Sequence, residues 1–334
     1  MLHKLLKKMI QPAAGVMLGM MTLPVMAADV TINLGWETPP ESKLGILAVK
    51  FKELAEEYSE GSVEVKLRCC GQIGNEETAF SAMQLGNVDA FLVSSNNLSS
   101  NYPLIDVFVL PYIFRSPEHM KAVLEGPVGV EFAEGLRQAT GVNLLAYGGV
   151  FFREVFSVKQ PVDEIGQMSG LKFRVPQNQV MIDTAAAFGA QPVAMAWSEV
   201  PTALQTGAID ATDNGLVTIR DMKFYEFAEH LVRLDHIAAF VPLFMSDQTM
   251  AKLDDAQKEA VMRAAAEASA YQAEIIQSGE DEVRAWLRDE GGMTLHSPDR
   301  APFIERALTV QDNFAEERGE KFKSLIEKIR AVEG

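Results

Sequence analysis

The sequence predicts a two-lobed α/β protein in which each lobe is a β-sheet flanked by helices. Three observations carry this. Strand-like and helix-like apolar periods alternate from Val30 onward. A segment from Met83 to Ala90 (MQLGNVDA) is echoed by Leu204 to Ala211 (LQTGAIDA). The chain has 334 residues, longer than one hydrophobic core usually organises.

Val30 to Trp36 is a short apolar run suited to a buried strand, broken by Thr38-Pro39-Pro40. Ser42 is placed to cap a helix from Lys43 to Tyr58, where Leu44, Leu47, Ala48, Phe51, Leu54 and Ala55 recur at helical spacing. Val63, Val65 and Leu67 alternate as a strand. A helix from Glu76 to Leu85 ends at Gly86, and a third strand covers Val88 to Val93. Helices near Glu118–Leu124 and Val128–Gln138 lead to a strand at Val142–Tyr147. This succession predicts a mostly parallel sheet covered on both faces.

Phe151 to Val158 reads as one long strand crossing between lobes. Beyond it come a strand over Leu171–Val175 ended by Pro176, a helix over Val180–Phe188, and a strand over Pro192–Ala196. Ser198 caps the next helix, which ends at Gly207, and Ala208–Thr212 is again a strand. The repeat shares one logic: a helix end, a glycine able to take positive φ, then a strand entry. From Asp255 to Arg288 the pattern stays helical, long enough to brace both lobes. Ile304 to Val332 is a further amphipathic region.

The first 27 residues read as an export leader. Lys4, Lys7 and Lys8 precede an apolar stretch from Met9 to Leu23, and Val25-Met26-Ala27 suits cleavage before Ala28. The leader is too short and interrupted to span a bilayer comfortably. The net charge is −16, and losing the leader removes three lysines and no acid. So acidic a chain lacks the basic footprint of nucleic-acid binding, and no nucleic-acid partner is expected. A receptor for an anion must therefore rest on a few local arginines rather than a global field. Cys69 and Cys70 are adjacent and are no disulfide framework. They read as a local structural pair, with a vicinal disulfide or a soft-metal contact as the alternative.

In open α/β sheets ligands gather beyond the carboxyl ends of strands. Arg174, Trp197, Asp213, Asn214 and Glu37 fall at such ends. Arginine suits a carboxylate or sulfonate through its planar two-donor fork. Asparagine donates and accepts, and tryptophan supplies a flat wall. Each also has a plainer reading: a surface ion pair for the arginine, core packing for the tryptophan, a turn for Asp-Asn-Gly. No paired metal-binding histidines, nucleophile elbow or phosphate loop is present, so no metal, cofactor or catalytic residue is expected.

From Gly170 to Asn214 the chain resembles the solute-binding proteins of TRAP (tripartite ATP-independent periplasmic) transporters, the DctP-like family. The resemblance rests on Gly170-Leu171-Lys172-Phe173-Arg174-Val175-Pro176, Phe188-Gly189-Ala190-Gln191-Pro192-Val193, Met195-Ala196-Trp197-Ser198-Glu199-Val200, Ala203-Leu204-Gln205-Thr206-Gly207 and Asp213-Asn214. Lys223-Phe224-Tyr225-Glu226 follows in place. Gly71-Gln72-Ile73-Gly74 and Leu110-Pro111-Tyr112-Ile113-Phe114 extend the match into the first half.

The resemblance implies a type II-like periplasmic-binding-protein fold, with mixed sheets and a long helix spanning both lobes. It implies hinge closure on a small organic acid or sulfonate, delivery to an ion-gradient-driven permease, a periplasmic location and no enzymatic activity. It assigns the acid clamp to Arg174 and ligand contacts to Asn214, Trp197 and Glu37, and it matches Arg153 to a second arginine near the lobe crossover. Asp213 stands where glutamate is usual, Pro201 where tyrosine is common, and Cys69-Cys70 where small or apolar residues precede the Gly-Gln loop. The expected division is 28–151 with about 240–279 in one lobe, and 152–239 with about 280–334 in the other. The protein is expected to act as a monomer. The rival readings are a receptor for an ABC permease or sensor, and an exported lyase or hydrolase using Glu37 or Asp213 as base.

Overall fold

The computed structural model describes residues 28–333; the expected leader and its cleavage site lie outside the described residues. The first lobe is built on a sheet in the order Val63–Arg68, Val30–Gly35, Ala90–Leu92, Leu243–Ser246, Val142–Ala146. The first three strands are mutually parallel, and Leu243–Ser246 runs antiparallel to both neighbours. Helix Lys43–Tyr58 starts where expected, the Ser42 hydroxyl accepting from the Gly45 N–H at 3.3 Å.

The second lobe carries a sheet in the order Thr294–His296, His230–Val232, Glu154–Ser157, Ala211–Asn214, Lys172–Val175, Gln191–Ala194. Here Glu154–Ser157 is the antiparallel strand. Both sheets are therefore mixed rather than mostly parallel. In each, a strand that has just crossed from the other lobe enters against the grain of the βα units beside it, because no helix reverses the chain at the crossing.

The crossing is a two-stranded antiparallel ribbon, Val150–Phe152 with Ala238–Phe240. The single strand expected over Phe151–Val158 is broken at Arg153, whose N–H donates to the Ile237 carbonyl at 2.9 Å. Gly148 leads in at φ +68°, and a β-carbon there would lie 2.0 Å from the Val241 carbonyl oxygen, so only glycine lets the two chains approach so closely.

Helix Asp255–Asp289 is the brace, 35 residues or about 52 Å long. Asp254 and Gln257 cap it reciprocally. Val261, Ala264, Ala265, Ala268 and Ile276 enter the first-lobe core, and Val283 and Leu287 enter the second. Gly279 falls between these two sets, with open space where its side chain would be.

A third apolar cluster runs through both lobes. Helix Ala301–Arg318 packs Phe303 edge-on against Phe188 of the second lobe, with centroids 5.2 Å apart. After Gly319 the chain turns back. Helix Glu320–Ala331 lies on the first lobe, its Ile329 carbonyl 3.0 Å from His119 Nε2, while Arg115 Nη1 donates to Arg330 O at 3.2 Å. The terminal stretch thus ties the two lobes together.

Candidate ligand-binding cleft

The strand ends of the two lobes face one another across a cleft that Arg174 divides into two parts. Counting its solvent-open space, the outer part measures ≈ 490 Å³, between Glu37, Asn75, Glu76, Glu77 and Asn97 of one lobe and Arg174, Met195 and Trp197 of the other. The inner part measures ≈ 460 Å³ and is lined by Lys43, Phe151, Arg153, Arg174, Asn214 and Thr218 among others.

Arg174 sits on strand Lys172–Val175, whose alternation buries Phe173 and Val175 in the apolar cluster and turns Arg174 to the cleft. It is 3 % exposed. Its Nε and Nη2 donate to the Met195 carbonyl at 3.2 and 2.9 Å, and its guanidinium carbon lies 5.5 Å from the Trp197 ring centre. Among the described residues no carboxylate pairs with it. Burial, followed by repulsion from Arg153, lowers it to about 10. It is a desolvated cation held in place by a carbonyl and an aromatic face, with Nη1 left free for an anion.

Arg153, immediately after the ribbon, is equally buried but already neutralised. Nε donates to Asp213 Oδ2 at 2.9 Å, and Nη2 donates to Asp213 Oδ1 at 2.8 Å and to the Asp213 carbonyl at 2.6 Å. Asp213 also lies 3.1 Å from His236 Nε2. Despite its burial, Asp213 is held well below the usual carboxylate range by Arg153 and His236. The structure therefore brings Arg153, Arg174, Asn214, Trp197 and Glu37 to the cleft and leaves Asp213 behind Arg153, outside both parts. The strand's two-residue period explains the split, since neighbouring Asp213 and Asn214 point to opposite faces. Asn214 Oδ1 accepts from the Gly215 N–H at 2.8 Å, so its Nδ2 remains to donate.

Two cleft residues stand outside the sequence expectations. Lys43 is 5 % exposed; its ammonium lies 3.1 Å from the Phe151 ring centre, and no carboxylate pairs with it among the described residues. Burial, then repulsion from Arg153, holds it well below the ordinary lysine range. It reads as an unremarked helix-start lysine in sequence. The available signal was its place in a first helical turn, where a cation opposes the helix dipole.

Glu76 is the second. Its carboxylate accepts from the Ser94 N–H at 2.8 Å, the Ser94 hydroxyl at 3.1 Å and Asn97 Nδ2 at 2.6 Å. Glu37 in turn accepts from the Glu76 N–H at 3.3 Å, so two carboxylates share one helix N-terminus. Burial and the neighbouring Glu37 raise Glu76 to about 7.

Glu154, buried under the ribbon, is also raised to about 7 by burial. Arg284 Nη1 lies 2.8 Å from it, yet neither Glu154 oxygen gains an aligned hydrogen bond. The pair attracts without satisfying the carboxylate. A raised native pKa means stability that is fully present below the unfolded value near 4.5 and lost as pH rises through about 7. Glu76→Gln is therefore expected to flatten the decline in stability across that window, read as urea midpoints at successive pH values; an unchanged slope would count against a proton held on Glu76.

Cys69 is half-buried and Cys70 exposed, and both are free thiols. A hydrogen bond with Cys69 pushes the Cys70 thiol up to about 11, which disfavours the thiolate a soft metal requires.

The sequence model of the family described as "Bacterial extracellular solute-binding protein, family 7" (DctP) matches residues 34–318. A solute-binding protein of Roseobacter denitrificans is 31 % identical over 292 residues, 87 % of this chain and 89 % of the relative. A TRAP periplasmic solute-binding protein from Roseobacter denitrificans, solved with L-galactonate bound, superposes with a TM-score of 0.84 at 29 % identity, covering 91 % of this chain and 99 % of that one. One from Polaromonas, bound to D-erythronate, gives 0.86 at 27 % identity over 91 % and 99 %.

Proposed function

This chain belongs to the DctP family of bacterial extracellular solute-binding proteins, the receptors of TRAP transporters, and on that premise we propose that it captures a sugar acid of the aldonate type. The carboxylate is held by Arg174 and Asn214, with Arg153 beside them, and the carbon chain lies along Trp197. The protein works in the periplasm as a monomer, its lobes formed by 28–151 with about 240–279 and by 152–239 with about 280–319, while helix Glu320–Ala331 returns to the first lobe. It hands its ligand to an ion-gradient-driven membrane permease.

The observation that carries this reading is Arg174, a buried guanidinium with no carboxylate of its own among the described residues. Leaving a cation so placed is costly unless an anion arrives to pair with it. The relatives solved with L-galactonate and D-erythronate hold carboxylic acids, which supports a carboxylate within the expected carboxylate-or-sulfonate class. A hydrolytic or lyase role has less support. Asp213 is engaged by Arg153 and His236 outside the cleft, and Glu37 caps a helix.

The test is a thermal-shift screen of residues 28–334 against aldonates, dicarboxylates and sulfonates. A ligand at a hundredfold excess over its Kd stabilises by about 2.7 kcal/mol, and the strongest shift is expected from an aldonate. Closure has its own measurement. The radius of gyration from X-ray scattering is expected to fall when L-galactonate is added, because both lobes must meet the ligand; identical profiles would rule out hinge closure.

A further inference from the structure

The cleft is electrically lopsided. Its inner part presents Lys43, Arg153 and Arg174 and meets Glu76 at the border it shares with the outer part; among the described residues, only Arg153 of these three cations has a carboxylate partner, Asp213. Its outer part presents Glu37, Glu76 and Glu77, with Arg174 the only cation among the described residues. Lys43 is more than nine-tenths buried, lies on the Phe151 ring and faces the inner part with no carboxylate among the described residues at ion-pair distance. The outer carboxylates are fixed rather than free to swing away. Glu76 is held by Ser94 and Asn97, and Glu37 by the Glu76 N–H.

We propose that this polarity makes the receptor selective for monoacids with a hydroxyl-bearing tail, Lys43 adding a second unpaired cation at the acid end and Glu37 with Glu76 excluding a second carboxylate at the other. The inference rests on the aldonate reading above and deepens it. Hydroxyl groups can donate to both carboxylates, so a polyol tail satisfies the outer part. A second carboxylate donates nothing and, above pH 7 where Glu76 is ionised along with Glu37, would sit against two, at the rim three, like charges in a partly desolvated space. Burial and then the neighbouring Glu37 raise Glu76, and a diacid's second carboxylate would meet the same desolvation and the same like charge.

The deciding experiment compares L-galactonate with galactarate, the diacid of the same skeleton, by calorimetry on the full mature chain at about pH 8, above the value to which Glu76 is raised. The wild type is expected to bind the monoacid roughly 100-fold or more tightly than the diacid. Glu37→Gln/Glu76→Gln is expected to bring that ratio toward unity. Glu37→Gln alone, at a half-exposed position, serves if the double variant folds poorly and should move the ratio the same way. Lys43→Met is expected to weaken both ligands, by roughly tenfold, with the ratio kept. Wild-type affinities within tenfold of each other, or a ratio unmoved by the glutamine variants, would overturn the inference and leave the receptor reading standing. Binding of neither acid by the wild type would overturn both.

Discussion

Arg174→Ala is expected to abolish measurable ligand binding at micromolar concentrations while leaving the free protein no less stable. Removing one partner of a buried ion pair costs about 3–5 kcal/mol, which is roughly 10²–10⁴ in Kd. The free protein behaves oppositely because Arg174 has no carboxylate to lose. Its guanidinium is desolvated, lowered to about 10, and among the described residues hydrogen-bonds to the Met195 carbonyl alone. Alanine takes a costly buried charge out of the unliganded fold. Calorimetric titration with an aldonate and a melting curve without ligand, on the same sample, check both halves. Loss of binding together with a large fall in melting temperature would mean that Arg174 is chiefly structural. Arg174→Lys is not a conservative control, because a point charge replaces the two-pronged donor.

The opposite pattern is expected at Asp213. Asp213→Asn should destabilise the fold by about 3–5 kcal/mol, measured as a lowered denaturation midpoint. It leaves Arg153 buried, without a counter-ion, beside Arg174 and Lys43, and it removes the partner of His236. Since Arg153 and His236 hold Asp213 below its ordinary value, the stability it supplies is present above the unfolded value near 3.8 and is lost as the solution is acidified below it. The Asn variant should therefore lose part of the acid sensitivity of the wild type. A variant as stable as the wild type would show that Arg153 finds compensation elsewhere. Of the two arginines in the cleft, Arg153 is thus neutralised within the fold, and Arg174 is the one the proposed reading gives to the ligand.

Much of this arrangement is legible in the residue order. Alternating Val63 and Val65, the Ser42 cap and the glycine-ended repeat place strands and helices close to where they lie, because each depends on neighbours within a few residues. The stripe from Val261 to Leu287 likewise reports a helix that serves both lobes. The break at Arg153 was not legible. It depends on the Ile237 carbonyl, far along the chain, and nothing local distinguishes Arg153 from its neighbours. The mixed sheets follow from the same long-range crossing. Within the cleft, Arg174, Trp197 and Asn214 were visible as polar or aromatic residues at strand ends. Asp213 was misplaced because it is one residue from Asn214 and the pleat turns it the other way. Lys43 and Glu76 looked like ordinary helix-start residues, and only the apposition of the lobes buries them.

The placement of Gly279 has a mechanical meaning. A helix anchored in two bodies resists their rotation along its whole length, and a uniform rod would spread the bending over every turn. Glycine is worth about 1 kcal/mol less than alanine in a helix interior, and here that compliance falls after the last first-lobe anchor, Ile276, and before the first second-lobe anchor, Val283. The rod is softest where neither lobe grips it. On the closure proposed above, the torque would concentrate around Gly279, where no atom crowds the missing side chain, with the packed surfaces on either side acting as lever arms.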